Sequence, residues 1–189
     1  LLALIAFPAS VVVIREDAFS YCENLTHVYF LGDAPFSDTE AFHGNPQATA
    51  YFFEGAVGFT TPEWAEMPVQ ILDRVTDVGH WLVTHGFTHN MDLNTDPYLS
   101  GTNLLPAYSF NQAPESFVLP NGKIENAEFR IRFFGGRKEV NYILEISKDL
   151  DTWTSEGIDI SEPDMDGFRS ATIVANEGNC FVRFRFKRD

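Results

Sequence analysis

A pattern of apolar and polar positions occurs twice in the first third of the chain. Segment 18–30 carries an Ala-Phe pair, a small or polar bend and a short apolar run, and segment 41–53 repeats this order, so that Phe42 corresponds to Phe19. The apolar runs at 28–30 and 51–53 are predicted to be strands. A fixed period of this length is typical of a solenoid, whose units cannot bury their apolar faces alone and must stack. The pattern therefore predicts stacked coils that offer a binding or scaffolding surface. The positions expected to form the repeated structure are Ala18, Phe19, Cys22, Leu25, Ala41 and Phe42.

The segment before the second copy carries a more specific signature. Residues 7–22 read Phe-Pro-Ala-Ser-Val-Val-Val-Ile-Arg-Glu-Asp-Ala-Phe-Ser-Tyr-Cys. This run closely resembles the BspA-type leucine-rich repeats of bacterial surface proteins, which follow the order F-P-x-S-V-x-x-I-x-x-x-A-F-x-x-C-x-x-L-x-x-V. The resemblance implies a curved leucine-rich-repeat solenoid on a secreted or cell-surface protein, with a role in adhesion. In the second copy Asn45 replaces the Cys and Ala48 replaces the Leu, which is typical of a capping repeat. We expect residues 1–72 to contain the repeats and their cap.

The number of repeats bears on how the chain is interpreted. About two are present, whereas a stable array usually needs three or more, and the sequence begins with Leu1 rather than Met. We therefore expect the sequence to be the carboxy-terminal part of a longer protein. The alternative is that the apolar run at 1–7 is the core of a signal peptide. That run is short and has no basic flank, because Arg15 is the first positive charge.

Strict alternation of apolar and polar residues dominates the last part of the chain. It occurs at 129–133, 140–146 and 181–187, and the Gly135-Gly136 pair is expected to form a tight hairpin turn between the first two of these strands. Short strands separated by Gly, Asn and Asp turns predict an antiparallel β-sandwich at 115–189. The predicted fold class is mainly β with minor α, in which a solenoid end, a helical linker and a C-terminal β-sandwich follow one another.

The terminal part also carries a recognisable motif. Residues 140–153 read Val-Asn-Tyr-Ile-Leu-Glu-Ile-Ser-Lys-Asp-Leu-Asp-Thr-Trp, and residues 181–185 read Phe-Val-Arg-Phe-Arg. They resemble a bacterial carboxy-terminal motif, V-x-Y-x-V-E-x-S-x-D-L-x-x-W with the ending F-V-R-x-R, from a poorly characterised family. The resemblance implies a secreted β-domain and names no ligand. We expect Trp153 to anchor the strand end in the core rather than to serve as a sugar-stacking platform.

Residues 73–114 are predicted to be a helix-loop-helix linker. A helix is expected over 73–85, with Val75, Val78 and Trp81 (or Leu82) on one face and an end at Gly86. Residues 81–114 resemble a linker of large bacterial secreted proteins, D-x-N-x-D-x-x-x-D-G-x-x-L-L-x-Y-A-L, which joins a repeat region to a terminal domain.

The loop of this linker is a candidate calcium site. Asp92, Asn94 and Asp96 fall at the first three ligand positions of an EF-hand-like loop, and Ser100 falls near the ninth. The alternative is an Asx-rich loop whose side chains cap its own backbone, because Pro97 stands where Gly permits the sharp turn and no Glu closes the shell. Asn103 would then be the N-cap of a second helix, with Pro106 at its third position.

Other candidate metal and disulfide residues are weaker. His80, His85 and His89 with Asp92 could suggest zinc, but the expected helix break at Gly86 separates them, so surface or loop histidines are favoured. The cysteines, Cys22 and Cys180, are too few for a disulfide framework. We expect two unpaired, buried thiols.

Composition and charge limit the classes of function. The net charge is −14, with residues 1–116 near −12 and residues 117–189 near −2, which supports a domain boundary near 114–120. This charge argues against nucleic acid and anionic membrane surfaces as partners. A hydrophobic content of 44% allows a packed core, and no apolar run approaches membrane-spanning length.

The motifs favour an interaction protein over an enzyme. The sequence contains no nucleophile elbow, phosphate-binding loop, His-Glu-x-x-His pair or paired-Cys metal site, and nothing singles out two carboxylates as a glycosidase pair. We predict a non-enzymatic, secreted or cell-surface adhesion protein that binds a protein or glycan, without a cofactor unless calcium binds. The alternative is a carbohydrate-binding module of a secreted enzyme, suggested by 14% aromatic residues and by Trp64, Tyr98 and Trp153 as stacking rings.

Overall fold

The computed structural model is mainly β with few helices, in agreement with the predicted class. The chain divides into two compact units, Leu1–Asp92 and Leu93–Asp189. The division falls inside the segment 73–114 that the sequence indicates as a linker. The residues that the structure describes are 2–72, 77–125, 128–174 and 181–188.

The stacked strands of the first unit recur at intervals of 23, 22 and 19 residues, close to the spacing of the repeat. They are β1 (Leu4–Phe7), β2 (Val13–Ile14), β3 (His27–Phe30), β4 (Phe36–Ser37), β5 (Thr49–Phe53), β6 (Glu63–Trp64) and β7 (Met67–Leu72). β1, β3, β5 and β7 lie side by side and pair in parallel, and β6 pairs antiparallel with β7. β2 and β4 form a second parallel pair. The first unit therefore shows solenoid-like stacking.

The pairing register shows which residues of successive coils lie opposite each other. Leu4 lies opposite His27, and His27 lies opposite Thr49, so each strand meets the corresponding strand of the next coil. In the second pair Val13 lies opposite Phe36, at the same offset along the chain that separates the repeated phenylalanines at 19 and 42. The β1–β3 and β2–β4 pairs therefore keep the 23-residue spacing of the sequence repeat, whereas β3 and β5 pair at a spacing of 22 residues.

The coils share one aromatic interior. The Phe19 and Phe42 rings stack with centroids 5.4 Å apart, and the Phe7 and Phe30 rings stack at 5.2 Å. Leu25 is completely buried between them and the neighbouring residues of the cluster. Because each ring is covered by a residue of the next coil, burial of one coil depends on the presence of the other.

The repeat positions are not equally buried. Ala41 is fully buried, but the equivalent Ala18 is exposed, and Cys22 is a half-buried free thiol. The expectation of a buried Cys22 is therefore wrong. Among the described residues, the coil of Ala18 and Cys22 has a neighbouring coil on one side only, which explains its greater exposure. Cys180 lies outside the described residues.

Asn45 connects the second coil to the first by hydrogen bonds. Its side-chain amide is buried and donates from Nδ2 to the carbonyl oxygens of Phe19, at 2.7 Å, and Phe42, at 2.8 Å. Backbone bonds lie beside it, since Phe19 N donates to Ala41 O at 2.9 Å and Tyr21 N donates to His43 O at 2.8 Å. The Asn that replaces Cys in the repeat thus satisfies carbonyl groups that the bend would leave without partners.

The other face of the β1–β7 sheet is buried as well. Tyr29, Tyr51, Phe53 and Leu72 form a second apolar cluster with Val83, which belongs to α1 (Asp77–Thr84). A sheet with two covered faces loses the simple alternation of apolar and polar residues. The consecutive apolar residues of β3 and β5 follow from this burial.

Helix α1 ends as the sequence indicates. Gly86 has a φ of +81°, a conformation that costs glycine little. The N–H groups of Gly86 and Phe87 donate to the carbonyls of Val83 and Leu82, both at 3.0 Å, which is a Schellman cap. The predicted helix over 73–85 is observed at 77–84, and its first residues, including Val75, lie outside the described ranges.

The second unit contains short helices followed by antiparallel strands. Asn103 is the N-cap of the first helix and Pro106 is its third residue, as predicted, although the Asn103 side chain makes no capping hydrogen bond. The elements are α2 (Leu104–Ser109), a 3₁₀ turn (Pro114–Ser116), β8 (Gly122–Glu125), β9 (Glu128–Phe134), β10 (Val140–Ser147), β11 (Ile158–Ile160), β12 (Phe168–Val174) and β13 (Phe181–Arg188).

These strands form two antiparallel sheets. One has the order β11-β12-β9-β8 and the other pairs β10 with β13. Phe133 of β9 lies 4.9 Å from Phe184 of β13, ring centre to ring centre, and Phe110 lies 4.8 Å from Phe184 and 5.1 Å from Phe186. Aromatic contacts in edge-to-face geometry therefore join the two sheets.

The predicted hairpin at Gly135-Gly136 is wrong. β9 pairs with β8 and β12, whereas β10 pairs with β13, so the glycines connect two different sheets. A side chain on Gly135 would come within 2.6 Å of Arg169, and one on Gly136 within 3.0 Å of the Gly167 backbone. The glycine pair thus permits close packing against the start of β12 rather than a tight turn.

The shared interior makes a direct prediction about stability. Phe42→Ala is expected to lower the free energy of unfolding by about 3–5 kcal/mol, because it removes a ring that is 2% exposed and contacts both coils. Urea denaturation followed by circular dichroism measures the change. Phe36→Ala is the matched control, since Phe36 is 61% exposed and its removal is expected to change stability by about 0.5 kcal/mol or less. Equal losses in the two variants would contradict the shared interior.

Candidate functional site

The predicted calcium ligands are divided between the two units. Asp92 ends the first unit, and Asn94, Asp96 and Ser100 belong to the second. Within the loop, the Asp96 carboxylate accepts hydrogen bonds from the backbone N–H groups of Ser100, at 3.0 Å, and Gly101, at 2.7 Å. The bond from Ser100 N–H is the main reason why the pKa of Asp96 lies below its ordinary value. This geometry is the self-capping Asx loop named as the alternative, and calcium binding stays a prediction.

The three linker histidines have separate surroundings. The His80 ring lies 5.3 Å from that of Phe53, and His85 donates from Nδ1 to the Trp81 carbonyl at 2.7 Å. His89 contacts Tyr29. Across the described residues, the His, Cys, Asp and Glu side chains form no group of three that could hold a metal ion.

A histidine–tyrosine cluster on the outer sheet face was not predicted. It consists of His27, Tyr29, Tyr51 and His89. The His27 and Tyr51 rings stack at 5.1 Å, and those of Tyr29 and Tyr51 lie 4.9 Å apart. Tyr29 Oη lies 3.0 Å from Nδ1 of His89 and accepts a hydrogen bond from the His89 backbone N–H at 3.2 Å.

Burial tunes the ionisation of this cluster. Desolvation lowers the pKa of His27 and of His89 below the ordinary value of 6.5, and the nearby His27 lowers that of His89 further. Desolvation also raises the pKa of Tyr29. The structure therefore favours the neutral form of all these groups near pH 7. The sequence did not indicate this cluster, because the 23-residue spacing aligns Tyr29 with Phe52 rather than with Tyr51, and His89 comes from a distant loop.

The terminal motif assembles into a charged cluster that we call the β10–β13 clasp, formed by Glu145, Arg183, Arg185 and Trp153. Glu145 accepts hydrogen bonds from Arg183 Nε at 2.7 Å and from Arg185 Nη1 at 3.1 Å. The Arg183 guanidinium lies 4.0 Å from the centre of the Trp153 ring, which is a cation–π contact. The bond from Arg183 is the main reason why the pKa of Glu145 lies below its ordinary value of 4.5.

The remaining motif residues shape the turn that carries Trp153. Asp149 accepts hydrogen bonds from the N–H groups of Asp151 and Thr152, at 2.9 and 2.8 Å, and from the Ser147 hydroxyl at 3.0 Å. These bonds hold the pKa of Asp149 far below its usual range, and the bonds from Thr152 have the largest effect. The Trp153 indole N–H donates to the Leu150 carbonyl at 3.0 Å. The spacing S-x-D-L-x-x-W is thus explained by a turn that presents Trp153 to Arg183.

The three candidate stacking rings differ in accessibility. Trp64 is buried, with Phe30 at 4.9 Å and Phe59 at 5.2 Å. Trp153 is half-buried rather than in the core, and Arg183 occupies one of its faces. Tyr98 is 48% exposed. Trp64 is therefore not an accessible sugar platform.

Several large apolar side chains of the first unit are exposed. Val13 and Phe36 are register partners of β2 and β4, and both are exposed, as is the adjacent Val12. Tyr21 is also exposed and packs edge-on against His43 of the next coil at 5.6 Å. Exposed apolar residues that lie side by side, as Val13 and Phe36 do, are a common feature of interaction surfaces.

The second unit contains an open hollow of about 490 Å³. Its lining includes Asn121, Arg132, Phe134, Asp166 and Phe168. The Arg132 guanidinium lies 4.2 Å from the centre of the Phe168 ring and donates to an Asp164 carboxylate oxygen at 2.9 Å. The hollow therefore combines an aromatic wall with planar hydrogen-bonding groups.

No family model, no curated protein and no solved structure matches this chain. Within the described residues, no helix is both long enough and apolar enough to cross a bilayer.

The clasp generates a pH-dependent prediction. Because the pKa of Glu145 is lower in the folded protein than its ordinary 4.5, its contribution to stability is complete above about pH 4.5 and is lost as the pH falls through the folded value. Glu145→Gln should lower the urea midpoint of the second unit at neutral pH and weaken its decline in acid. Tryptophan fluorescence reports the transition of the second unit when it is measured in a Trp64→Phe, Trp81→Phe background, which leaves Trp153 as the remaining indole.

Glu128→Gln is the matched control for this prediction. It makes the same change in an exposed ion pair, in which Arg130 donates to Glu128 at 2.7 Å. Exposed pairs contribute little to stability, so the control should behave like the parent protein. An equal loss in both variants, or an unchanged acid profile in Glu145→Gln, would contradict the role of the clasp.

Proposed function

We propose that this chain is part of a non-enzymatic, extracellular interaction protein that presents a BspA-type leucine-rich-repeat surface to a protein or glycan. The observation that carries the proposal is the stacking of coils at close to the spacing of the repeat, since Leu4 lies opposite His27, 23 residues on, and His27 lies opposite Thr49, 22 residues on. Solenoids of this kind offer extended surfaces built from equivalent positions of successive coils. Secretion or surface location and a role in adhesion follow from the resemblance and belong to the proposal.

The surface that best supports binding is the one marked by Val12, Val13, Phe36 and Tyr21. On the sheet side of the unit, Tyr29 and Tyr51 are already covered by residues 77–91. The Val13–Phe36 row, by contrast, is exposed and crosses two coils. We therefore assign the ligand-binding role to this row, which we call the β2–β4 face.

The second unit fits the role of a spacer or anchor. We propose that its two antiparallel sheets, joined by Phe133 and Phe184, form a β-sandwich and that residues 73–114 act as the linker. The β10–β13 clasp would make this domain resistant to unfolding. Calcium bound near Asp96 would add rigidity to the linker loop.

A second candidate is carbohydrate binding by the second unit, as in a module of a secreted enzyme. The hollow lined by Arg132, Asp166 and Phe168 favours it. An aromatic ring beside groups that donate and accept hydrogen bonds in a plane is the usual chemistry of sugar recognition. This candidate function places the ligand on the second unit rather than on the first, so variants in each unit distinguish the two candidate functions.

The test is a binding screen with the complete 189-residue chain. The immobilised protein is exposed to a glycan array and to extracellular-matrix glycoproteins, and the dissociation constant of each captured ligand is measured. Phe36→Ser and Val13→Ser are expected to weaken binding about fivefold or more, because a central apolar contact contributes about 1–3 kcal/mol. Arg132→Ala and Phe168→Ala are expected to leave it unchanged.

Val174→Ser is the matched control, since Val174 is an exposed apolar residue of the second unit that does not line the hollow. The opposite pattern, with loss of binding only in the Arg132 and Phe168 variants, would reject the β2–β4 face and support the carbohydrate module. A ligand whose affinity changes neither in the Phe36 and Val13 variants nor in the Arg132 and Phe168 variants would overturn both proposed binding sites.

A further inference from the structure

His89 fastens the segment after α1 to the sheet. Tyr29 is completely buried, and both known partners of its hydroxyl belong to His89: the ring Nδ1 at 3.0 Å and the backbone N–H at 3.2 Å. The His89 ring also packs against Tyr29 at 6.0 Å and against Tyr51 at 5.4 Å. His89 thus connects residues 85–91 to both tyrosines of the outer sheet face.

Whether His89 Nδ1 accepts a hydrogen bond from the Tyr29 hydroxyl depends on whether Nδ1 carries a proton. The Tyr29 oxygen already accepts from the His89 backbone N–H, so its own proton is satisfied when it points at an unprotonated Nδ1. A protonated imidazole carries a proton on both ring nitrogens. Nδ1 would then present a donor to the hydroxyl, and the buried Tyr29 proton would lose its acceptor in this pair. A buried donor without a partner is costly.

The groups that face the His89 ring add to this cost. They are His27 and Tyr29 from β3 and Tyr51 from β5. None of them is negatively charged near neutral pH, and a protonated His27 would repel a protonated His89. Desolvation acts in the same direction, since it lowers the pKa of both histidines. Asp92, the nearest acidic residue along the chain, is three positions away.

We propose that His89 is an acid-sensitive latch, which holds residues 85–91 over the outer sheet face when neutral and releases them when protonated. Release exposes the aromatic pair Tyr29 and Tyr51 without unfolding the coil interior, which depends on the opposite face of the sheet. Proton linkage gives the direction of the pH effect. The open form binds the proton on His89 more readily, so the stability of the closed form is greatest above about pH 6.5 and is lost as the pH falls below this value. The latch does not depend on the proposed binding function.

The test is amide hydrogen exchange of the complete chain by mass spectrometry at about pH 7.5 and about pH 5, with intrinsic exchange rates corrected for pH. Peptides covering 85–91 are expected to lose protection about tenfold on acidification, while peptides covering 41–45 stay protected. In His89→Asn the side-chain oxygen replaces Nδ1 as an acceptor and does not titrate. This variant should keep its protection at both pH values.

Two control variants separate His89 from other titrating groups. His43→Asn alters an exposed histidine paired with Glu66, and Asp92→Asn removes the nearest carboxylate in sequence. Both should respond to acid like the parent protein. An acid response that persists in His89→Asn, or that disappears in Asp92→Asn, would overturn the proposal.

A measurement on the parent protein covers the case in which His89→Asn does not fold. Long-range ¹H–¹⁵N correlation spectra identify the tautomer of each neutral histidine and follow its titration. We expect the proton of neutral His89 on Nε2 and a change of the Tyr29 ring signals that follows the titration of His89. A proton on Nδ1 at neutral pH, or Tyr29 signals that stay constant while His89 titrates, would overturn the latch.

Discussion

The structure of the first unit depends on the stacking of aromatic rings from one coil on those of the next. Phe19 on Phe42 and Phe7 on Phe30 place large apolar surfaces between coils, where neither coil could bury them alone. The parallel ladder from β1 to β7 and the amide of Asn45 hold the same coils in register. The register in turn places Val13 beside Phe36 and Tyr29 beside Tyr51. The proposed β2–β4 face and the histidine–tyrosine cluster are therefore consequences of one interior.

The two sides of this sheet have different chemistry. The interior side contains almost only apolar groups, whereas the outer side contains tyrosine hydroxyls and imidazoles that need hydrogen-bond partners. The partners of the Tyr29 hydroxyl come from His89, in a segment that forms turns rather than a helix or strand, whereas His27 Nδ1 lies 2.9 Å from the Thr26 hydroxyl. A turn segment that lies outside the sheet ladder is expected to open more easily than the coils beneath it. This difference is the physical basis of the latch at His89.

The sequence predicted what depends on local pattern. The period, the strands of the first coils, the end of α1 at Gly86 and the N-cap at Asn103 follow from side chains and backbone preferences of neighbouring residues. It did not predict partners across long distances. The alternation in β9 and β10 indicated two strands but not that each pairs elsewhere, so the hairpin at Gly135 was assigned wrongly. The terminal motif indicated Glu145, Trp153 and Arg183 but not that these side chains contact one another. His89 reaches Tyr29 from a distant loop, and no periodicity in the sequence predicts such a contact.

The coupling between coils is most directly measured by a double-mutant cycle on Phe19 and Phe42. Phe19→Leu, Phe42→Leu and the double variant are unfolded in urea, and the free energies of the two single changes are compared with that of the pair. Stacked rings that form one interior should give a coupling energy of about 0.5–1.5 kcal/mol. A coupling energy of about zero, with strictly additive losses, would show that the two coils fold without reference to each other and would contradict the account.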